Sequence, residues 1–454
     1  MKLSNRVQRY LHDFNEVKHT TFNPEGPGVV RIHLVPPDYN EDIEANSVAI
    51  INGQDIIPVG VSWTILLSEF IDEVNRFGDR EIDPKDAKDI FSNLKKRVRK
   101  IYPAIPAKYI KRDLSTILNT FTQIAYGEEV QENIGYMSIG NYAPFMRAPH
   151  RMDLMVSAMT VNGNWHCNQK CLHCYASGQK SAEEKELSTD EWKEIIDKCH
   201  KNCIPQITFT GGEPTMREDL IELIDYAHWF VTRLNTNGIK LTSDYCHKLY
   251  QASLDSVQIT FYSYDKDVHN KLVGAPQYDN TVAGIENALG AGLSVSINTP
   301  LCTLNSDYVK TLEFLHEKGV RYVTCSGLIT TGNALLEESV NLQLDRDSIR
   351  NIVRDAVKFC YQNEMEISFT SPGWIEDEFF EEVGIATPSC GACLSNMAIT
   401  PGGNVVPCQS WLSGEILGNM LHDTWKEIWV GEQCELRRDY SAKMLSECPL
   451  RRVK

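Results

Sequence analysis

Cys167, Cys171 and Cys174 stand in the run Cys-Asn-Gln-Lys-Cys-Leu-His-Cys. Three thiolates in one short loop can hold three irons of a 4Fe–4S cluster and leave the fourth iron without a protein ligand. Such clusters are ordinarily held by four cysteines, so the missing one leaves a coordination position for a small molecule. That makes a reactive centre and not merely an electron relay. Zinc is the competing occupant, with His166 completing a set of four, although zinc sites favour two ligand pairs at longer separation.

A second segment could bind what the open iron binds. Gln206–Thr210 reads as a buried strand and runs into Gly211-Gly212-Glu213-Pro214. Glycines at a strand end let a ligand approach the backbone closely, and Glu213 can accept a charge-assisted hydrogen bond from an ammonium group. The tail holds a second cysteine constellation: Cys390-Gly-Ala-Cys393, then Cys408, Cys434 and Cys448. A hairpin turn at Gly402-Gly403 brings Cys408 back beside Cys390 and Cys393, as shared ligation requires. A zinc knuckle is the alternative there. The other cysteines after Cys174 (Cys199, Cys203, Cys246, Cys302, Cys325, Cys360) read as packed small hydrophobes.

These groups need a scaffold. A chain of 454 residues exceeds one ordinary core and implies two or three domains. Hydrophobic residues at 42% and charged residues at 23% fit a globular protein. No apolar run is long enough to span a bilayer, and the N-terminus lacks the apolar stretch of a signal peptide, so a cytoplasmic protein without a membrane partner is expected. Fourteen cysteines then argue for metal binding over disulfides. A formal charge of −16 argues against nucleic acid.

Val29–Val35 reads as a strand, and Ser47–Gly53 with Ile56–Val59 as a hairpin turning near Asn52-Gly53. Helices are expected over Ser62–Phe77, from Asp83-Pro84 to Tyr102, and over Leu114–Tyr126. The first barrel strand is expected over Asp153–Thr160, delivering the cysteine loop at its end. A capping box from Ser188 to Glu191 starts the next helix. Strands at Gln206–Thr210, Thr232–Thr236, Ser256–Tyr262, Ser294–Thr299 and Tyr322–Ser326 alternate with helices near 218–230, 243–252, 280–291 and 306–318. That alternation predicts a parallel β/α sheet with its site at the strand ends.

The cysteine spacing, the aromatic His173 before the third cysteine, Gly211-Gly212-Glu213-Pro214 and Thr236-Asn237-Gly238 together resemble the radical S-adenosylmethionine (SAM) superfamily. The resemblance implies an α/β fold built on a partial (β/α)6 barrel. It also implies SAM chelating the open iron of a 4Fe–4S cluster held by Cys167, Cys171 and Cys174. His173, Gly211, Gly212, Glu213, Thr260 and Asn298 would contact SAM. Relatives often place Arg-Gly after the fourth strand to hold the SAM carboxylate; here Val273 precedes Gly274, with Lys271 as a substitute. The tail resembles the SPASM/Twitch extension, implying at least one auxiliary Fe–S cluster on Cys390, Cys393, Cys408 and Cys448, with Cys434 a weaker ligand. The chain stops short of the full SPASM pattern, with Arg451 where a further cysteine would fall.

The N-terminal strands and helices resemble the winged-helix precursor-recognition domain of peptide-modifying relatives. The division expected is 1–105 recognition, 106–150 bridge, 151–375 barrel and 376–454 auxiliary-cluster domain. The expected function is maturation of a ribosomally made precursor peptide (RiPP). Reductive SAM cleavage gives a 5′-deoxyadenosyl radical that abstracts hydrogen and leads to a thioether or carbon–carbon crosslink. Peptide epimerisation, with Cys302 or Cys325 donating hydrogen, and sulfatase-maturase-like oxidation are the enzyme alternatives. A peptide-binding Fe–S or zinc scaffold is the non-enzyme one. Partners are the precursor peptide, its leader adding as a strand to the N-terminal sheet, and a reductant such as flavodoxin or ferredoxin. No catalytic general base is identifiable.

Overall fold

The computed structural model describes residues 3–22, 30–40, 43–45, 47–78, 82–130, 132 and 134–451. The chain forms two compact units. One comprises Met1–His150 with His200–Pro205, the other Arg151–Cys199 with Gln206–Lys454.

In the first unit, four antiparallel strands run in the order Lys18–Phe22, Val30–Val35, Ser47–Ile51 and Asp55–Val59. The expected hairpin turn forms at Asn52 and Gly53, both at positive φ. Val29 lies outside the described residues. Helices Val61–Asn75, Pro84–Ile101 and Ala107–Ala125 cover the sheet, burying Ile32, Leu34, Leu67, Leu94 and Phe121 in one core. Pro84 sits in the first turn behind the capping residue Asp83, whose carboxylate accepts from Lys85 and Asp86 N–H. Arg97 fastens this helix to the preceding one through Glu69 and Asp72. The sequence reading lacks the helix Asn5–Asp13 and the strand Lys18–Phe22, and it starts the third helix late, at Leu114 instead of Ala107.

In the second unit, six parallel strands follow one another in chain order: Arg151–Ser157, Gln206–Gly211, Val231–Thr236, Ser256–Thr260, Ser294–Pro300 and Tyr322–Ser326. This is the expected partial barrel. The first strand ends at Ser157, short of Thr160, which instead opens a two-residue hairpin with Asn164–Trp165. A seventh parallel strand, Glu366–Phe369, extends the far edge. At the near edge Asn396–Ile399 pairs in parallel with the first strand, followed by Asn404–Val406 and Gly418–Asn419. The Gly402-Gly403 turn therefore closes the expected hairpin, and the Glu184 carboxylate holds it by accepting from Gly402 N–H and Asn404 Nδ2.

Parallel strands covered on both faces usually read as unbroken apolar runs. These alternate: Ile207, Phe209, Leu234, Val257, Ile259 and Ile297 are buried in the core, whereas Thr208, Arg233, Asn235, Gln258 and Asn298 line cavities. The barrel interior is a polar chamber rather than a packed core. Among the described residues no helix is long and apolar enough to cross a membrane.

Candidate active site

At the strand ends lies a cavity of about 210 Å³ lined by Cys167, Cys171 and Cys174 together with Gly211, Gly212 and Glu213. His173, Thr260 and Asn298 line it as well, so every residue expected to meet SAM borders one space. His166 does not: it lines a separate surface depression with Lys185 and Asp219.

The glycine pair has a reason the sequence reading missed. Gly211 has φ +137, and a Cβ there would lie 2.3 Å from the Ser157 carbonyl oxygen. The second strand approaches the first too closely for any side chain. Glu213 is only 1% exposed. Its Oε1 accepts from Thr215 N–H (3.0 Å), Thr215 Oγ1 (2.6 Å) and Thr236 Oγ1 (2.7 Å), and its Oε2 from Asn237 N–H (2.8 Å). The carboxylate thus ties the ends of the second and third strands together and keeps one lone pair of Oε2 in reserve. Burial raises its pKa while these donors pull it down. Asn237 in turn donates to Asn168 Oδ1 at 2.6 Å, anchoring the cysteine loop.

The loop's other side hangs on the helix Lys266–Val273, which the sequence reading lacks. Lys170 N–H donates to Val273 O and Leu172 N–H to Leu272 O. Val273 packs into an apolar cluster with Cys171 and Leu172, and Lys271 is exposed. Neither reaches the cavity, and among the described residues no lysine or arginine lines it. From the fourth and fifth strands Gln258, Thr260 and Asn298 are the polar side chains that line it. Tyr262, also missed, lines the cavity and places its hydroxyl 3.1 Å from His173 Nε2.

These walls fit an iron–sulfur cluster with SAM. Gln169 Nε2, His173 Nδ1 and Asn235 Oδ1 are buried without hydrogen-bond partners, which a polar ligand would satisfy. Burial pushes the Cys167 thiol up to about 12 and raises Cys171 and Cys174 too; iron supplies the charge that makes thiolates stable there. Among the described residues no three His, Cys, Asp or Glu side chains close on a single metal ion. A cluster is larger than an ion, so its ligands stand farther apart than those around one zinc.

A second cavity, of about 420 Å³, adjoins the first and shares His173, Tyr175, Asn235, Gln258, Asn298, Pro300 and Gln409 with it. Cys390, Cys408 and Cys448 also line it. Cys393 is fully buried, with the neighbouring Cys434 and burial raising its pKa, and Cys434 accepts from Arg438 at 3.6 Å. Cys434 therefore belongs with this group more closely than its sequence position suggests. Cys302 and Cys325 are fully buried and line neither cavity, so the expected thiol hydrogen donor is not in place. Cys199, Cys246 and Cys360 are packed as expected, whereas Cys203 is half-buried.

Residues 166–315 match the radical SAM superfamily, and residues 390–449 match SPASM, an iron–sulfur cluster-binding domain. A probable GTP 3′,8-cyclase of Methanopyrus kandleri is 34% identical over 36% of this chain and 52% of its own length. The chain thus spans about half of that relative. The mycofactocin maturase MftC of Mycolicibacterium smegmatis is 26% identical over 64% of this chain and 74% of its own. The fold is similar to Streptococcus suis SuiB bound to S-adenosylmethionine, at 13% identity and TM-score 0.56 over 87% of both chains. SuiB bound to precursor peptide SuiA gives the same TM-score at 12% identity over 86% of both. The domains bring a 4Fe–4S cluster with SAM, and auxiliary Fe–S chemistry in the tail. With both domain models matched and the site walls in place, residues 166–315 of this chain carry a radical SAM domain and residues 390–449 a SPASM domain.

Proposed function

We propose that the enzyme matures a ribosomally made precursor peptide by installing an intramolecular crosslink, a thioether or a carbon–carbon bond. The observation that carries this is the shared wall between the two cavities. A peptide segment in the larger cavity has the SAM site on one side and the auxiliary cysteines on the other. When bound, the cluster and SAM supply a 5′-deoxyadenosyl radical for hydrogen abstraction. Glu213 and Asn237 hold the loops around that site, Gln258 and Asn298 face both spaces, and the walls keep bulk water from the substrate carbon. The second cluster, on Cys390, Cys393, Cys408 and one or both of Cys434 and Cys448, would take the electron that crosslinking releases. MftC and SuiB, a maturase and a precursor-binding protein by name, support the peptide class.

In this reading residues 1–105 recognise the leader peptide, 106–150 bridge, 151–375 form the barrel and 376–454 the auxiliary domain. The leader adds as a strand to the four-stranded sheet, and flavodoxin or ferredoxin supplies electrons in the cytoplasm. Epimerisation is disfavoured because Cys302 and Cys325 do not face the chamber. The test is the accurate mass of a candidate precursor peptide after anaerobic turnover with SAM and reductant in D2O. Loss of two hydrogens supports a crosslink. Gain of one deuterium without net oxidation overturns it in favour of epimerisation.

A further inference from the structure

The chain is acidic overall, yet its larger cavity is lined by Arg151, Arg233 and Arg451 and, among the described residues, by no aspartate or glutamate. Two of these arginines are accounted for. Arg151 pairs with Asp153 through Nε–Oδ1 at 2.8 Å and a second bond at 3.2 Å. Arg451 stacks on Trp374 at 4.7 Å and sits beside Cys448, where it offsets the charge of a thiolate. Arg233 is different. It stands midway along the third strand and, among the described residues, has only Ser256 Oγ at hydrogen-bond range (3.4 Å from Nε) and no ion-pair partner. Burial and the neighbouring Arg151 lower its pKa, only partly offset by Asp153.

Thr208 lies directly opposite Arg233 in the sheet register, and Ser256 opposite it on the other side. The Thr208 hydroxyl is buried, lines the same cavity and has no partner. Two residues along the strand, Asn235 lines the same cavity and its Oδ1 is also unpartnered; since amide O and N are interchangeable by a flip, its NH2 can take that position. A guanidinium without an ion-pair partner among the described residues, lining a cavity beside an unpartnered hydroxyl, has the donors to receive a carboxylate.

Building on the peptide-maturase reading, we propose that Arg233, with Thr208 and Asn235, anchors a carboxylate of the substrate at the floor of the larger cavity. The substrate segment entering the barrel therefore carries an acidic group there, either an Asp or Glu side chain or the peptide's own terminal carboxylate. Arg233 and Thr208 line the larger cavity and not that of the cysteine loop, while Asn235 borders both; the anion paired with the guanidinium is therefore the substrate's rather than that of SAM.

The test uses the reconstituted holoenzyme with SAM and thermal-shift titration with blocked tripeptides at millimolar concentration. The probes are acetyl-Gly-Glu-Gly-amide, acetyl-Gly-Asp-Gly-amide, their Gln and Asn counterparts, and acetyl-Gly-Gly-Gly with a free carboxylate. The expected result is at least tenfold tighter binding of an acidic probe than of its amide twin, with loss of that preference in R233Q and partial recovery in R233K. Preference for the free-terminus probe assigns the terminal carboxylate; preference for Glu or Asp assigns the side chain. R233Q should also melt no lower than wild type, because it removes a buried unpaired charge. A lower melting temperature with unchanged probe preference means a structural arginine and overturns the proposal. Equal binding of acids and amides by wild type overturns it as well, as does a tenfold loss of SAM affinity in R233Q without any probe preference. An acid preference with no precursor peptide converted would retain the subsite and count against the peptide reading.

Discussion

His173 Nε2 lies 3.1 Å from the Tyr262 hydroxyl, and the two rings meet edge to face at 5.1 Å. The pair bridges the cysteine loop to the end of the fourth barrel strand, with both residues buried. Tyr262→Phe keeps the ring packing and strips the imidazole of its partner. Leaving a buried polar nitrogen unpaired costs about 1–3 kcal/mol. The expected outcome is a melting temperature several degrees lower under anaerobic calorimetry, with a changed cluster EPR signal. An unchanged melt would mean the pair contributes only packing.

Gly274 presses on the same loop from below. Its φ is +63, and a Cβ there would sit 2.4 Å from the Lys170 carbonyl oxygen. Gly274→Ala must push the loop away from the helix that holds it. In a C390A/C393A/C408A background, where iron bound to the loop cysteines can be counted alone, G274A should retain less than half of the parent's iron. Full retention would show that the loop yields without losing its geometry.

The tail makes a different prediction. Cys434 neighbours Cys393 closely enough to shift its pKa, and Cys448 lines the cavity with Cys390 and Cys408. With Cys167, Cys171 and Cys174 all changed to Ala, iron and sulfide assays report the auxiliary site. C434A and C448A should each remove at least half of the remaining iron, whereas C199A, at a packed core position, should remove none. Retention of iron by C434A would reduce Cys434 to a neighbour of the ligands.

Acid sensitivity follows from two buried histidines. Burial depresses His150 and His269 to about 4, against an ordinary value near 6.5. The folded protein keeps both imidazoles neutral while the unfolded chain takes up protons as pH falls. Their contribution is therefore intact above pH ~6.5 and fades as pH drops toward about 4, by roughly 2–3 kcal/mol each. His269→Asn keeps an acceptor for Tyr262 N–H, the bond that His269 Nδ1 now accepts, and removes the titration. Its melting temperature should fall less steeply than wild type between pH 7 and 5. Parallel curves would place the acid sensitivity elsewhere.

What could be read in advance followed a physical divide. Cys167, Cys171, Cys174 and Gly211–Pro214 were legible because their chemistry is local: ligands and close-approach glycines sit within a few residues of each other. Tyr262, Gln258, Gln409 and Arg233 reach the chamber only through strand register and barrel closure, which a linear pattern does not carry. Arg233 between Thr232 and Leu234 reads as an ordinary strand arginine until Thr208 and Ser256 are seen opposite it. The helix Lys266–Val273 has local signals, Asp265 capping its start and left-handed Gly274 its end, but its eight residues are too few for a helical period to stand out. Glu366–Phe369 escaped notice because only Phe369 in it is fully buried, too little for an alternation to show.

The pairing of Asn396–Ile399 with Arg151–Ser157 bears on how the protein is made. The strand that delivers the cysteine loop gains one neighbour, Gln206–Gly211, early in synthesis, but its other edge waits until the tail has emerged. Throughout that interval a nascent chain exposes an apolar strand edge of the kind that pairs with other chains. Truncation or delayed folding of the tail should therefore appear first as aggregation of the barrel, before any defect in electron transfer can be seen.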